Sequence, residues 1–127
     1  MAVSFSGFEA QSLDSAVLGR LIERTQKGRA ASVLRLIDVY VREATRDLAR
    51  LAQAHQEGDG ATVRWVAHQL NGGSGLMGAV GVVSLCAQIE ALDVEEDMAG
   101  VLPLIHALEG EFATVRDDLS NLAARLA

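Results

Sequence analysis

The sequence predicts an all-α fold: an antiparallel up-down-up-down four-helix bundle with a short extra helix at its N-terminal end. Three observations carry that prediction. Apolar residues recur at steps of three and four along most of the chain, and no stretch alternates with period two for long enough to make a strand. The composition agrees, because helix-forming Ala, Leu, Val, Glu, Arg and Gln dominate while aromatics are 4% and proline occurs once. Short Gly- and Asp-bearing breaks cut the pattern into helical lengths, and short connections favour antiparallel neighbours. A chain of 127 residues is sized for one domain, 1–127, with the bundle core over about 30–126 and a loose start over 1–13.

The elements follow in order. Asp14 can cap a short helix over about Ser15 to Gln26, which Lys27-Gly28 ends. A long helix follows over about Ala30 to Gln56. In it Leu34, Ile37, Val41, Ala44, Leu48 and Leu51 form a heptad-like inward stripe suited to shallow crossing angles. Gly58-Asp59-Gly60 stops this helix, and Asp59 can cap the next, about Ala61 to Met77, with Val63, Val66, Leu70, Gly73 and Met77 inward. After Gly78 a helix over about Val80 to Leu92 turns Val82, Leu85, Ile89 and Leu92 inward. Asp93 to Asp97 is an acidic connector. The last helix starts between Ala99 and Pro103, since proline is tolerated in a first turn, and runs to about Leu126.

Charge and composition exclude several function classes. The net charge of −6 repels a phosphate backbone and an anionic membrane alike, so neither nucleic acid nor membrane is expected as a partner. No apolar run approaches the ~18 residues of a membrane span. The N-terminus lacks the basic and apolar regions of a signal peptide. Cys86 is alone, which excludes an internal disulfide, and its apolar surroundings make it a core residue. His55, His68 and His106 are not at metal-ligand spacing from one another, so no metal site is expected. These features describe a soluble, cytoplasmic monomer.

One segment stands apart, Ala67-His68-Gln69-Leu70-Asn71-Gly72-Gly73-Ser74-Gly75-Leu76-Met77-Gly78-Ala79. Each glycine inside a helix costs about 1 kcal/mol relative to alanine, so such a cluster needs a reason. At 100° per residue, His68 falls ~170° from the centre of the inward stripe. Its neighbours one and two turns away are Arg64, Asn71, Gly72 and Gly75, and the two glycines leave the imidazole over a cleared platform. Another molecule's backbone can approach it there. The same geometry also fits an ordinary surface histidine.

The segment resembles the histidine-containing phosphotransfer (HPt) family. The family pattern is Ala-His-x-Leu-Lys-Gly-Ser/Ala, then Gly-Ala, then Leu-x-x-x-Cys-x-x-Leu-Glu on the next helix. Here it reads Ala67-His68-Gln69-Leu70-Asn71-Gly72-Gly73-Ser74, Gly78-Ala79 and Cys86-Ala87-Gln88-Ile89-Glu90. The similarity covers roughly residues 30 to 122. It implies a phosphocarrier of a two-component phosphorelay, not an enzyme, with His68 as phosphoryl acceptor. It also implies that Glu90 hydrogen-bonds Nδ1 and orients the imidazole, leaving Nε2 to attack phosphorus; Gln88 is a weaker candidate for that role.

The implied partners are a response-regulator receiver domain, a hybrid histidine kinase, or both, docking over Arg64, Gln69, Asn71, Gly72 and Gly75. Trp65 and Leu76 would lie at the rim of that surface. No cofactor is implied for this chain, and Mg²⁺ is expected on the receiver. One residue departs from the pattern: the family lysine three positions after the histidine is Asn71. Arg64, one turn before His68, is the candidate to supply that charge. The departure also leaves open a degenerate module that binds a receiver or kinase without transfer. The dimerising region of a sensor kinase fits less well, because Gln69 rather than an acidic residue follows the histidine and no proline occurs before Pro103.

Overall fold

The computed structural model describes residues 12–127. It contains helices α1 (Ser15–Gln26), α2 (Ala30–Gln56), α3 (Gly60–Leu76), α4 (Val80–Ala91) and α5 (Met98–Leu126), with no strand among the described residues. Helices α2 to α5 close a bundle in which each packs on the next and α5 returns to α2, while α1 lies against α2. This is the predicted four-helix bundle with its short N-terminal helix. Among the described residues no helix is long and apolar enough to cross a membrane.

The inward faces differ in detail from the sequence expectation. On α2 the fully buried set is Val33, Ile37, Tyr40, Ala44, Leu51 and Ala54, while Leu34, Val41 and Leu48 pack at its edge. The face is rotated because Tyr40 reaches inward. Its ring meets Phe112 of α5 edge-on at 6.0 Å, and its hydroxyl hydrogen-bonds Ser74 Oγ of α3 at 2.7 Å. Burial pushes the Tyr40 phenol up to about 12. This buried polar pair, at the side of a core that is otherwise almost wholly apolar, fixes the register of α2 against α3. Ala67 and Ser74 of α3 are buried as well. Gly73 is only half-buried beside the Tyr40 ring, and an added methyl would meet that ring at an ordinary 3.8 Å.

On α4 Val82, Cys86 and Ile89 are buried, with Leu85 and Leu92 partly so. The Cys86 thiol is pushed up to about 12, chiefly by burial and then by the charges of Glu90 and Asp47. The acidic connector is pinned near its start by Val94, which is fully buried. Helix α5 begins at Met98, before the expected window, because the Asp97 side chain caps Gly100 N at 3.0 Å. Pro103 therefore sits in the second turn. The carbonyl it leaves without an N–H partner belongs to Ala99, and both residues are on the solvent side.

The expected loose start over 1–13 is corrected at its end. Residues 1–11 lie outside the described residues, but Ser12 and Leu13 are held. Ser12 donates from its backbone N (2.9 Å) and its Oγ (2.5 Å) to the buried Asp118 Oδ2, and Leu13 joins the core. The next residue, Asp14, donates its N–H to Gly78 O at 2.7 Å and caps α1 through its side chain. These contacts tie the start of α1 to the α3–α4 turn.

Candidate functional site

Helix α3 is fixed at both ends. Asp59 accepts from Thr62 N (3.1 Å) and Thr62 Oγ1 (2.6 Å), which hold its carboxyl below the usual range. At the other end Ser74 O accepts from Ala79 N, and Gly78 takes φ +73° to turn the chain. Helix α4 then runs back along α3 and brings Glu90 level with His68.

The side chain of His68 is 78% exposed, on the face of α3 directed away from the core. Its Nδ1 lies 2.7 Å from Glu90 Oε1. An ionised carboxylate can only accept, so Nδ1 carries the proton and donates, and in the neutral ring Nε2 keeps its lone pair. The other carboxylate oxygen, Glu90 Oε2, accepts from Asn71 Nδ2 at 3.0 Å. Three residues expected at the site from sequence, His68, Asn71 and Glu90, are thus joined in one chain of hydrogen bonds across the α3–α4 seam. Gln88 points elsewhere and donates to Ser84 Oγ on its own helix at 3.4 Å.

The other residues named from sequence are arranged around this chain. Gly72 and Gly75 are exposed, and a Cβ added at either would meet nothing within 4 Å. Arg64 is turned toward Glu95, with Nη2 3.6 Å from Oε2, in a half-exposed pair. Gln69 faces the opposite flank, where it lines a groove of about 470 Å³ with Glu43, Arg46, Asp47, Arg50 and Gly73. In that groove burial raises the Asp47 carboxyl above its usual range, and Arg50 beside it acts against the rise. Trp65 is half-exposed one turn before His68, with the Arg50 guanidinium 5.1 Å over its ring. Leu76 is 78% exposed beyond Gly75.

Sequence reasoning missed two features of this surface. One is the hydrogen bond from Asn71 to Glu90: helical spacing puts Asn71 beside His68, but which residue of α4 it meets depends on inter-helix register. The other is a second groove of about 400 Å³, in which Val17, Arg20, Leu21 and Arg24 of α1 meet Leu36, Gly75 and Leu76. The remaining histidines have other surroundings. His55 Nε2 donates to Met98 O at 2.8 Å and ties α2 to the start of α5, while His106 lies exposed on α5. Among the described residues no group of three or more His, Cys, Asp or Glu is placed to hold a metal.

Comparison with known proteins gives a consistent result. The family model of the Hpt domain matches residues 35–125. Among solved structures the chain is similar to histidine-containing phosphotransfer protein B (HptB) from Pseudomonas aeruginosa PAO1. The identity is 31% and the TM-score 0.71, and the match covers 92% of this chain and 98% of that one. No curated protein matches.

Proposed function

This chain belongs to the Hpt domain family, and we propose that it is a phosphocarrier that takes a phosphoryl group onto His68 Nε2 and exchanges it with a receiver-domain aspartate. The reading rests on the 2.7 Å contact of Glu90 with Nδ1 of an imidazole that is otherwise open to solvent. The Nε2 lone pair attacks the phosphorus of the aspartyl phosphate. The P–O bond to the aspartyl oxygen breaks, its electron pair stays on the aspartate as carboxylate, and the N–P bond forms. The ring becomes cationic while keeping its Nδ1 proton, and the Glu90 carboxylate stabilises that charge. The reverse transfer uses the same geometry. Any Mg²⁺ the reaction requires comes with the receiver.

A partner docks over Gly72 and Gly75, with Trp65, Gln69 and Leu76 around them. A receiver, free or within a hybrid kinase, is the proposed partner, and the cytoplasm the proposed setting. Arg64 is the proposed cation for the incoming phosphoryl oxygens. Its half-exposed pair with Glu95 contributes at most about 1 kcal/mol and is readily exchanged. Arg64→Ala then slows phosphorylation, and an unchanged rate removes Arg64 from the mechanism.

Incubation with phospho-receivers and then assay for acid-labile phosphate tests the whole reading. The wild-type chain is labelled and His68→Gln is not; labelling that persists in the variant overturns the assignment. A chain that binds a receiver but is never labelled is instead the binding-only module that the Asn71 departure suggests.

A further inference from the structure

The residue that departs from the family pattern has a definite contact here, and the contact is with the group that orients the histidine. We infer that Asn71 is a positioning residue: its amide fixes the Glu90 carboxylate so that Oε1 holds His68 as the Nδ1–H tautomer. This inference rests on His68 Nε2 being the phosphoryl acceptor.

The argument starts from how little else holds the ring. The His68 side chain is 78% exposed, and among the described residues its one hydrogen bond runs to Glu90 Oε1. An exposed imidazole with one tether is only as well placed as the other end of that tether. Glu90 is a flexible carboxylate, a quarter exposed, and free rotation would let it turn to water and release the ring. Asn71 Nδ2 prevents this by donating to Oε2 at 3.0 Å, so both oxygens are occupied and the carboxylate plane is set. A hydrogen bond to a charged group is among the stronger kind.

The choice of an amide has a second consequence. Helix α4 contains no Lys or Arg, and the nearest basic residue along α3, Arg64, is paired with Glu95. A lysine at position 71 would hold Glu90 and also cancel its charge. Asn71 holds it and leaves the charge whole. The full carboxylate is then available to the imidazolium that forms when Nε2 bonds to phosphorus. Position 71 thus supports the charge on the ring, and the phosphoryl oxygens are left to Arg64.

The test uses the full chain with ¹⁵N-labelled histidine, at a pH about two units above the usual imidazole value of ~6.5. In the wild type, His68 gives separate protonated Nδ1 and unprotonated Nε2 signals. Asn71→Leu, which keeps the bulk and removes the donor, moves the pair toward the averaged values of a mixed tautomer. Asn71→Asp, which sets a second carboxylate against Glu90, moves them further. Position 71 is half-buried, so both variants are tolerated, and an unchanged circular dichroism spectrum and melting temperature certify the fold.

Phosphorylation of His68 slows about tenfold in Asn71→Leu, the effect of one charge-assisted hydrogen bond. Unshifted ¹⁵N signals in both folded variants overturn the inference. So does a slowed transfer without a tautomer change, since Asn71 would then act on the phosphoryl group or the partner directly. The spectroscopic arm needs no phosphoryl donor. A chain that no receiver labels therefore removes the proposed function, while the tautomer signals still decide the role of Asn71.

Discussion

Gly78 and the pair Gly72 and Gly75 lie within a few residues of each other, yet they are glycines for opposite reasons. Gly78 is fixed by the fold. Its φ of +73° is one that L side chains rarely adopt, and a Cβ there would stand 2.7 Å from Cβ of Val17 on α1. Gly72 and Gly75 have helical backbones and empty space around them: the fold neither requires glycine there nor gains from it. In a helix each is about 1 kcal/mol worse than alanine. Gly19 of α1 and Gly110 of α5 are just as bare, so open space alone assigns no role; what sets Gly72 and Gly75 apart is that both lie on the surface around His68. The contrast separates what builds the bundle from what serves a docking partner.

The largest effect on stability is expected at the first of these positions. Gly78→Ala forces a methyl into the left-handed region and against the start of α1, where Asp14 N–H bonds to Gly78 O. The expected loss is about 2–3 kcal/mol, from backbone strain and overpacking together. Denaturant unfolding measures it. A loss below about 0.5 kcal/mol would mean that α1 shifts aside freely, and the contrast with Gly72 would fail.

A smaller effect tests the inner face of α3, where Ser74 meets Tyr40 of α2. Tyr40→Phe removes the 2.7 Å bond to Ser74 and leaves the Ser74 hydroxyl buried without that partner. At neutral pH this costs about 1–2 kcal/mol. The pH dependence carries a sign. The folded-state phenol is raised from 10.0 to about 12, so its neutral form is the one the fold favours. That contribution is fully present below pH 10, the unfolded value, and is lost as the pH rises toward 12. The gap between wild type and Tyr40→Phe therefore narrows in alkali, which unfolding curves at neutral pH and at about pH 11 would reveal. A constant gap would show that the phenol titrates alike in both states.

Much of the bundle could be derived from the chain because helical punctuation is local. Asp14, Asp59, Gly28, Gly58 and Gly78 act on their own neighbours, so they mark the ends of α1 and α2 to the residue and of α3 and α4 to within one. The inward face of α2 was harder. Tyr40 turns inward because Ser74 and Phe112, distant in sequence, receive it. Helical angle alone likewise put His68 outward and Gly72 and Gly75 beside it. The partner of Asn71 was out of reach for the same reason as Tyr40: Asn71 and Glu90 meet only once the offset of α4 against α3 is set. Ser12 and Leu13 looked loose because the residue that holds Ser12, Asp118, lies near the other end of the chain. Local rules give elements and faces, and cross-chain partners come from packing.

The smallest effect is the most specific to the opening contrast, because it predicts gain and loss in one variant. Gly72→Ala puts a methyl into open space on a regular helix, so nothing must move and the helix gains. Stability rises by up to about 1 kcal/mol. The same methyl stands one turn from His68, where a receiver's backbone is proposed to approach, and transfer slows although the His68–Glu90 pair is untouched. Gly75→Ala, two turns away, behaves alike with a weaker kinetic effect. Unfolding curves and transfer rates on the same samples check both halves. If stability rises and transfer is unchanged, the platform does not serve docking and the glycines are left without a function. If stability falls, they serve the fold after all and do not differ in kind from Gly78. Only the opposed pair of changes supports a surface kept bare at the helix's expense.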